Sequence, residues 1–239
     1  MCFICDERLS SRRGFLSVAA YGALTGFVLP AAPAFAAGGA VTALSADEAL
    51  AKLKAGNEKY VNAPELCSAQ LGAQREHVAK SQAPWATIIS CADSRVPPEL
   101  LFGGLGVGEL FVARNAGNMV DTATMGTIEY GAAVLGVPLI VVLGHERCGA
   151  ASAACEVVEK KTKFPASIGP MVDAIVPAAL AVVGKPGDFV DNTIRESAIR
   201  TARKITTESS IVAELVKNGK VKVIAARYDL DDGRVEYFS

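Results

Sequence analysis

Two short stretches of this chain carry side chains that could act on a substrate together: Cys91-Ala92-Asp93-Ser94-Arg95 and Gly144-His145-Glu146-Arg147-Cys148-Gly149-Ala150. Between them they offer two thiols and one imidazole. That donor set suits zinc, which takes Cys sulfur at about 2.3 Å and His nitrogen at about 2.0–2.1 Å in tetrahedral geometry. His145 and Cys148 are spaced i, i+3 at the start of an expected helix, which puts both on one face. The helix N-terminus also favours Cys148 as thiolate. Three protein ligands leave a fourth position for water, as in catalytic zinc sites, and Asp93 is the one nearby group that could close that position instead. Two thiolates cancel the formal charge of the ion, so it acidifies water less than a site of three imidazoles would. Asp93 can help by accepting a hydrogen bond from zinc-bound hydroxide, while the planar fork of Arg95 keeps the carboxylate ionised and aimed. Metal, acceptor and orienting arginine together describe a device for making water nucleophilic.

The elements that must bring these residues together can be read from periodicity. Short β-rich runs at 86–90 (ending at Cys91), 109–113, 138–143, 221–225 and 233–238 read as strands. Helical patterns fall at 46–62, 70–81, 120–135, 147–162, 167–182 and 189–218, the first with Ser45 as N-cap and Glu48 completing a capping box. Strands alternating with helices predict a single α/β domain whose central, mainly parallel sheet has about four strands plus a short C-terminal one, flanked by helices. In a parallel sheet the carboxyl ends of neighbouring strands share one edge, where such folds bind ligands, so Cys91 and His145 can meet there although about fifty residues separate them. Residues 165–170 and 184–187 read as loops rather than domain linkers. The glycines from 103 to 108 offer no G-x-G-x-x-G register and no P-loop lysine, and read as a turn.

Composition bounds the rest. The chain has 239 residues, 24 Lys plus Arg against 25 Asp plus Glu, and a net charge of −1, which argues against nucleic acid as the main partner. Its only histidines, His77 and His145, exclude a site of three imidazoles. Residues 1–36 have the layout of a cleaved signal peptide: basic residues, an apolar run, then Ala34-Phe35-Ala36 as a cleavage site. Ser11-Arg12-Arg13-Gly14-Phe15-Leu16 resembles the twin-arginine export signal. Pro30, Pro33 and several glycines make the segment a poor spanning helix. A periplasmic or secreted domain at 37–239, with no stable membrane association after cleavage, is therefore expected. Cys2 and Cys5 leave with the signal. Cys67 and Cys155 could pair in an oxidising compartment or remain free thiols.

Cys-x-Asp-x-Arg followed some fifty residues later by His-x-x-Cys-Gly resembles the β-class carbonic anhydrases. The stretches 108–118 and Gly126-Thr127-Ile128-Glu129-Tyr130 add to the resemblance, which runs from about Ala46 to the C-terminus. It implies one zinc per subunit on Cys91, His145 and Cys148, with Asp93 as a possible alternative fourth ligand. Asp93 and Arg95 would form the catalytic dyad, and Gln70 and Gly149 would contact substrate. The product of hydroxide attack on carbon dioxide would be bicarbonate plus a proton. The resemblance also implies a homodimer as the smallest active unit, often a larger homo-oligomer. In relatives regulated by bicarbonate, with the aspartate closing onto zinc, a tryptophan stands three residues before the first cysteine. Ile88 stands there in this chain and its one tryptophan is Trp85, which favours an open site. Gln70 could equally be a solvated helix residue, and His77 a proton relay or simply exposed. Two alternatives use the same residues: a zinc hydrolase of carbon disulfide or carbonyl sulfide, and a non-catalytic protein stabilised by zinc.

Overall fold

The structure, a computed structural model, describes residues 41–63 and 71–238. The expected signal peptide (1–36), the expected domain start at 37, Cys67 and Gln70 lie outside the described residues. Among the described residues, five strands form one sheet: β1 (Ala86–Cys91), β2 (Leu110–Asn115), β3 (Leu139–His145), β4 (Lys222–Tyr228) and β5 (Val235–Phe238). Their spatial order is β2-β1-β3-β4-β5. The first four run parallel, and β5 pairs antiparallel with β4. The expected α/β sheet of four parallel strands and a short terminal one is the one observed.

Alternation of side chains explains why the middle of the sheet is apolar throughout. Ile88, Leu139, Val141 and Leu143 face one core, with Leu53, Trp85, Leu101 and Phe102. Ile89, Ile140 and Val142 face the other, with Ile128, Ala198, Ile205 and Val212. Every residue of β1 and β3 is buried, as strands covered on both faces must be. The edge strand β2 is only half-buried along most of its length.

The helices among the described residues are α1 (Ala46–Asn62), α2 (Leu71–Val78), α3 (Pro98–Leu101), α4 (Thr122–Ala133), α5 (Gly149–Lys160), α6 (Ile168–Asp173), α7 (Val176–Val182), α8 (Phe189–Glu208) and α9 (Ser210–Lys217). The expected capping box opens α1: the Glu48 amide donates to Ser45 Oγ and the Ser45 amide to the Glu48 carboxylate. No described helix is long and apolar enough to cross a membrane.

Two helices expected to be continuous are broken. The 167–182 stretch divides into α6 and α7 because Pro177, in the first turn of α7, has no N–H to continue a helix from upstream. The 189–218 stretch divides at Ser209, whose extended backbone (φ −97°, ψ 109°) lets its hydroxyl accept from the Val212 amide at 3.1 Å and donate to Glu129 at 2.6 Å. The four-residue α3, opened by Pro98, was not expected, being too short to show a period. Strand β3 runs two residues past its expected end at 143 and so takes in His145.

The sheet order leaves one crevice for chemistry. From β1 the chain crosses to β2 on one side, while from β3 it crosses to β4 on the other. The carboxyl ends of β1 and β3 thus flank the point where the connections diverge, which is where open α/β sheets bind ligands.

Close packing also fixes α1. A Cβ at Gly56 would stand 2.0 Å from the Phe102 carbonyl oxygen and 2.6 Å from its carbon. In an unpacked helix Gly→Ala gains up to about 1 kcal/mol. Here Gly56→Ala is expected to destabilise by about 1–3 kcal/mol through overpacking, read as a lower urea midpoint at unchanged slope.

Candidate metal centre

Cys91 is the last residue of β1 and His145 the last of β3. Pairing of Ser90 with Leu143 in the parallel register carries Cys91 to the level of Gly144, beside the imidazole. Cys148 is the N-cap of α5. The sulfurs of Cys91 and Cys148 and a ring nitrogen of His145 all lie within 4.8 Å of one another, and all three residues are buried. The helix-face reading of His145 and Cys148 needs correction. The histidine ends a strand, and Glu146-Arg147 forms a turn before the helix begins, with Arg147 at φ 52°. The left-handed conformation, which costs a residue with a Cβ about 1–2 kcal/mol, turns the chain so that imidazole and thiol converge.

The imidazole is polarised for ligation. Its Nδ1 lies 2.9 Å from the Glu146 carbonyl oxygen, which can only accept, so Nδ1 carries the proton and Nε2 a lone pair. Nε2 is buried and has no hydrogen-bond partner. A buried acceptor left unmatched beside two sulfurs is satisfied by a cation that prefers nitrogen and sulfur, and zinc fits that donor set. The thiols show the same need. A hydrogen bond from Cys148, helped by the Gly117 amide, holds the Cys91 thiol far below its ordinary range against the opposing effect of burial. The same sharing, together with burial, pushes Cys148 up. Two neighbouring buried sulfurs cannot both be anionic unless a cation lies between them.

Asp93 stands beside this triad, its Oδ2 3.8 Å from His145 Nε2. Arg95 holds both of its oxygens: Nε donates to Oδ1 at 2.9 Å, Nη2 to Oδ2 at 2.8 Å, and the Arg95 amide adds a third bond at 3.0 Å. The guanidinium holds the carboxyl well below the usual carboxylate range. The three expected metal ligands and the Asp93–Arg95 pair are therefore brought together. Gly149 is the first residue of α5, and a Cβ there would meet open space.

Other expected features fall away from the site. His77 is exposed on α2. Trp85 precedes β1, at the end opposite Cys91; its indole donates to Glu109 at 3.4 Å and Lys52 stacks on it at 4.3 Å. Cys155 is a free, buried thiol 3.3 Å from the Thr193 hydroxyl. The glycines of 103–108 make the expected turn, with Gly103, Gly104 and Gly108 at positive φ.

Sequence reasoning missed the residues that aim these groups. Arg114 on β2 donates from Nε to the Cys91 carbonyl at 2.9 Å and from Nη2 to the Asp93 carbonyl at 2.6 Å. Its role follows from register, since it pairs with Ser90, one residue before the loop it grips. Asn115 folds the next turn through reciprocal 2.8 Å bonds with the Met119 backbone. In that turn Gly117, at φ +82°, donates its amide to Cys91 Sγ at 3.3 Å. A Cβ there would stand 2.6 Å from Ile175 Cδ1 and 3.0 Å from Ala150 Cβ.

A family profile described as carbonic anhydrase matches residues 86–235. Carbonic anhydrase 2 of Mycobacterium tuberculosis is 37% identical over 182 residues, 76% of this chain and 87% of that protein. A carbonic anhydrase of Mycolicibacterium smegmatis is 34% identical over 77% of this chain and 89% of its own length. Among solved structures, the Coccomyxa β-carbonic anhydrase in complex with acetazolamide is similar at a TM-score of 0.61 and 29% identity, covering 79% of this chain and 86% of that one. A structure from a study of two tetrameric β-carbonic anhydrases of Sordaria macrospora matches at 0.61 and 25% identity, covering 70% and 88%.

Arg114→Met keeps the aliphatic stem and removes both donors. Discounted for exposure, it is expected to cost about 0.5–1.5 kcal/mol by chemical denaturation, with CO2 hydration falling because the Asp93 loop loses its anchor.

Proposed function

The chain belongs to the carbonic anhydrase family, and we propose that it hydrates carbon dioxide reversibly to bicarbonate and a proton with one zinc ion per chain on Cys91, His145 and Cys148. The observation that carries this reading is the Asp93 carboxylate, gripped on both oxygens by Arg95 and set against a buried triad of two sulfurs and a nitrogen without a hydrogen-bond partner. When bound, zinc supplies a Lewis acid that brings the ionisation of water near neutrality. The chain's own residues do the rest. Asp93, kept anionic by Arg95, accepts a hydrogen bond from the reacting water and turns its lone pair toward the carbon of CO2. Arg95 keeps that carboxylate engaged away from the metal position. Arg114 and Gly117 fix the loop and the thiolate on which this aim depends.

Relatives that match most of the chain bear the name carbonic anhydrase, which favours CO2 over carbon disulfide or carbonyl sulfide. The Asp93–Arg95 pairing favours a catalytic over a purely stabilising metal. Gln70 and Gly149 are proposed substrate contacts; Gly149 follows Cys148 and leaves open space where a side chain would stand. The proposed assembly is a homodimer or larger homo-oligomer, supported by the tetrameric Sordaria proteins. A periplasmic or secreted location is proposed from Arg12-Arg13, the apolar run and Ala34-Phe35-Ala36.

Metal analysis of the purified protein is expected to give about one zinc per chain, with Cys148→Ala losing both zinc and stability because metal binding is coupled to folding. Asp93→Asn is expected to retain zinc and lose at least about a hundredfold in kcat for CO2 hydration, the usual contribution of a positioned proton acceptor. Metal-free wild type, or hydrolysis of a sulfur gas with negligible CO2 hydration, would overturn the assignment. Replacing Arg12 and Arg13 by lysine is expected to leave uncleaved chain in the cytoplasm, read by fractionation.

A further inference from the structure

Glu146 lies between the two ligands of the second stretch and takes no part in the chemistry above, yet contacts converge on it from three elements. Its amide donates to the Tyr228 carbonyl at 2.8 Å, and its own carbonyl accepts the proton of His145 Nδ1 at 2.9 Å. Its carboxylate accepts the Leu230 amide at 3.0 Å and Arg147 Nη1 at 3.2 Å, and stands 3.7 Å from Arg227 Nη2. Two of these groups are largely withdrawn from water: the side chains of Glu146 and Arg227 are 18% and 9% exposed.

The anchor is itself rigid. Arg227 donates from Nε to Asp191 at 2.5 Å and from Nη1 to Asp229 at 2.8 Å. The second oxygen of Asp229 accepts the amides of Asp231 and Asp232, which folds the turn between β4 and β5. Asp231 then holds Arg147 through contacts of 3.0 and 2.6 Å, supporting its left-handed backbone. The acidic groups of Glu146, Asp229 and Asp231 lie within 4.8 Å of one another, but arginines and backbone amides already engage them, so their charge is spent on the turn rather than on an ion.

We propose that Glu146 is a positioning residue: by tying its side chain to the β4–β5 turn, it holds its own carbonyl against His145 Nδ1 and so presents Nε2 to the metal position. This rests on the zinc reading above. A histidine ligand whose second nitrogen is held in place needs no reorientation when it binds, and loss of such outer partners weakens metal affinity by about 10–100-fold.

The test uses the full chain with Glu146→Ala and Glu146→Gln, measuring the zinc Kd by chelator competition and the Tm of the metal-free forms. Glu146→Ala is expected to raise the Kd about 10–100-fold. Glu146→Gln, which keeps an acceptor for the Leu230 amide, is expected to raise it by a smaller factor with a metal-free Tm close to wild type. Wild-type zinc affinity in both variants, whatever their Tm, overturns the proposal. If Glu146→Ala does not fold, unchanged affinity in Glu146→Gln overturns it alone. A wild-type chain that holds no zinc overturns this proposal together with the zinc reading, whereas zinc-loaded wild type with unaffected variants removes this proposal and leaves the function standing.

Discussion

The parallel pairing of β1 with β3 is the constraint on which the rest of the site depends. Both strands are buried on both faces, so a slip of one residue would exchange their core sides, and the cost of that slip locks the register. The locked register brings Cys91 and His145 to one edge. It also places that edge at the divergence of two crossovers, where no connection covers the crevice. A hydrophobic fact about Ile88, Ile89, Val141 and Val142 thereby becomes a geometric fact about a sulfur and an imidazole.

Around this edge the chain accumulates polar groups that only a specific partner satisfies. Nε2 of His145 is unmatched, the two sulfurs share what one proton can supply, and Asp93 is anionic beside them. Each would be costly alone in a buried setting. Together they describe the complement of a divalent cation and a polarised water. The strain at Arg147 belongs to the same pattern, a local cost kept at a functional turn and balanced by the hairpin beyond it.

Much of this could be read from the sequence because it is encoded locally. The apolar runs of β1 and β3, the Ser45–Glu48 box and the cysteine, histidine and aspartate positions each announce themselves within a few residues. What could not be read depends on partners far along the chain. Arg114 looks like an ordinary strand residue until pairing with β1 puts its fork under Cys91 and Asp93. Pro177 and Ser209 interrupt helices whose apolar spacing continues through them, because a missing N–H and a serine side chain that caps the next helix outweigh that spacing. The spacing of His145 and Cys148 predicts a convergence that is observed, but a strand end and a turn bring it about instead of a helix face.

Gly117 carries no reactive atom, yet its amide meets the Cys91 sulfur and its missing side chain leaves room for Ile175 and Ala150. Every single-nucleotide missense change in a glycine codon adds a side chain, and here each would meet both crowding and an unfavourable dihedral. A substitution at this position is therefore opposed by conformation and space, although the residue contributes no reactive group of its own.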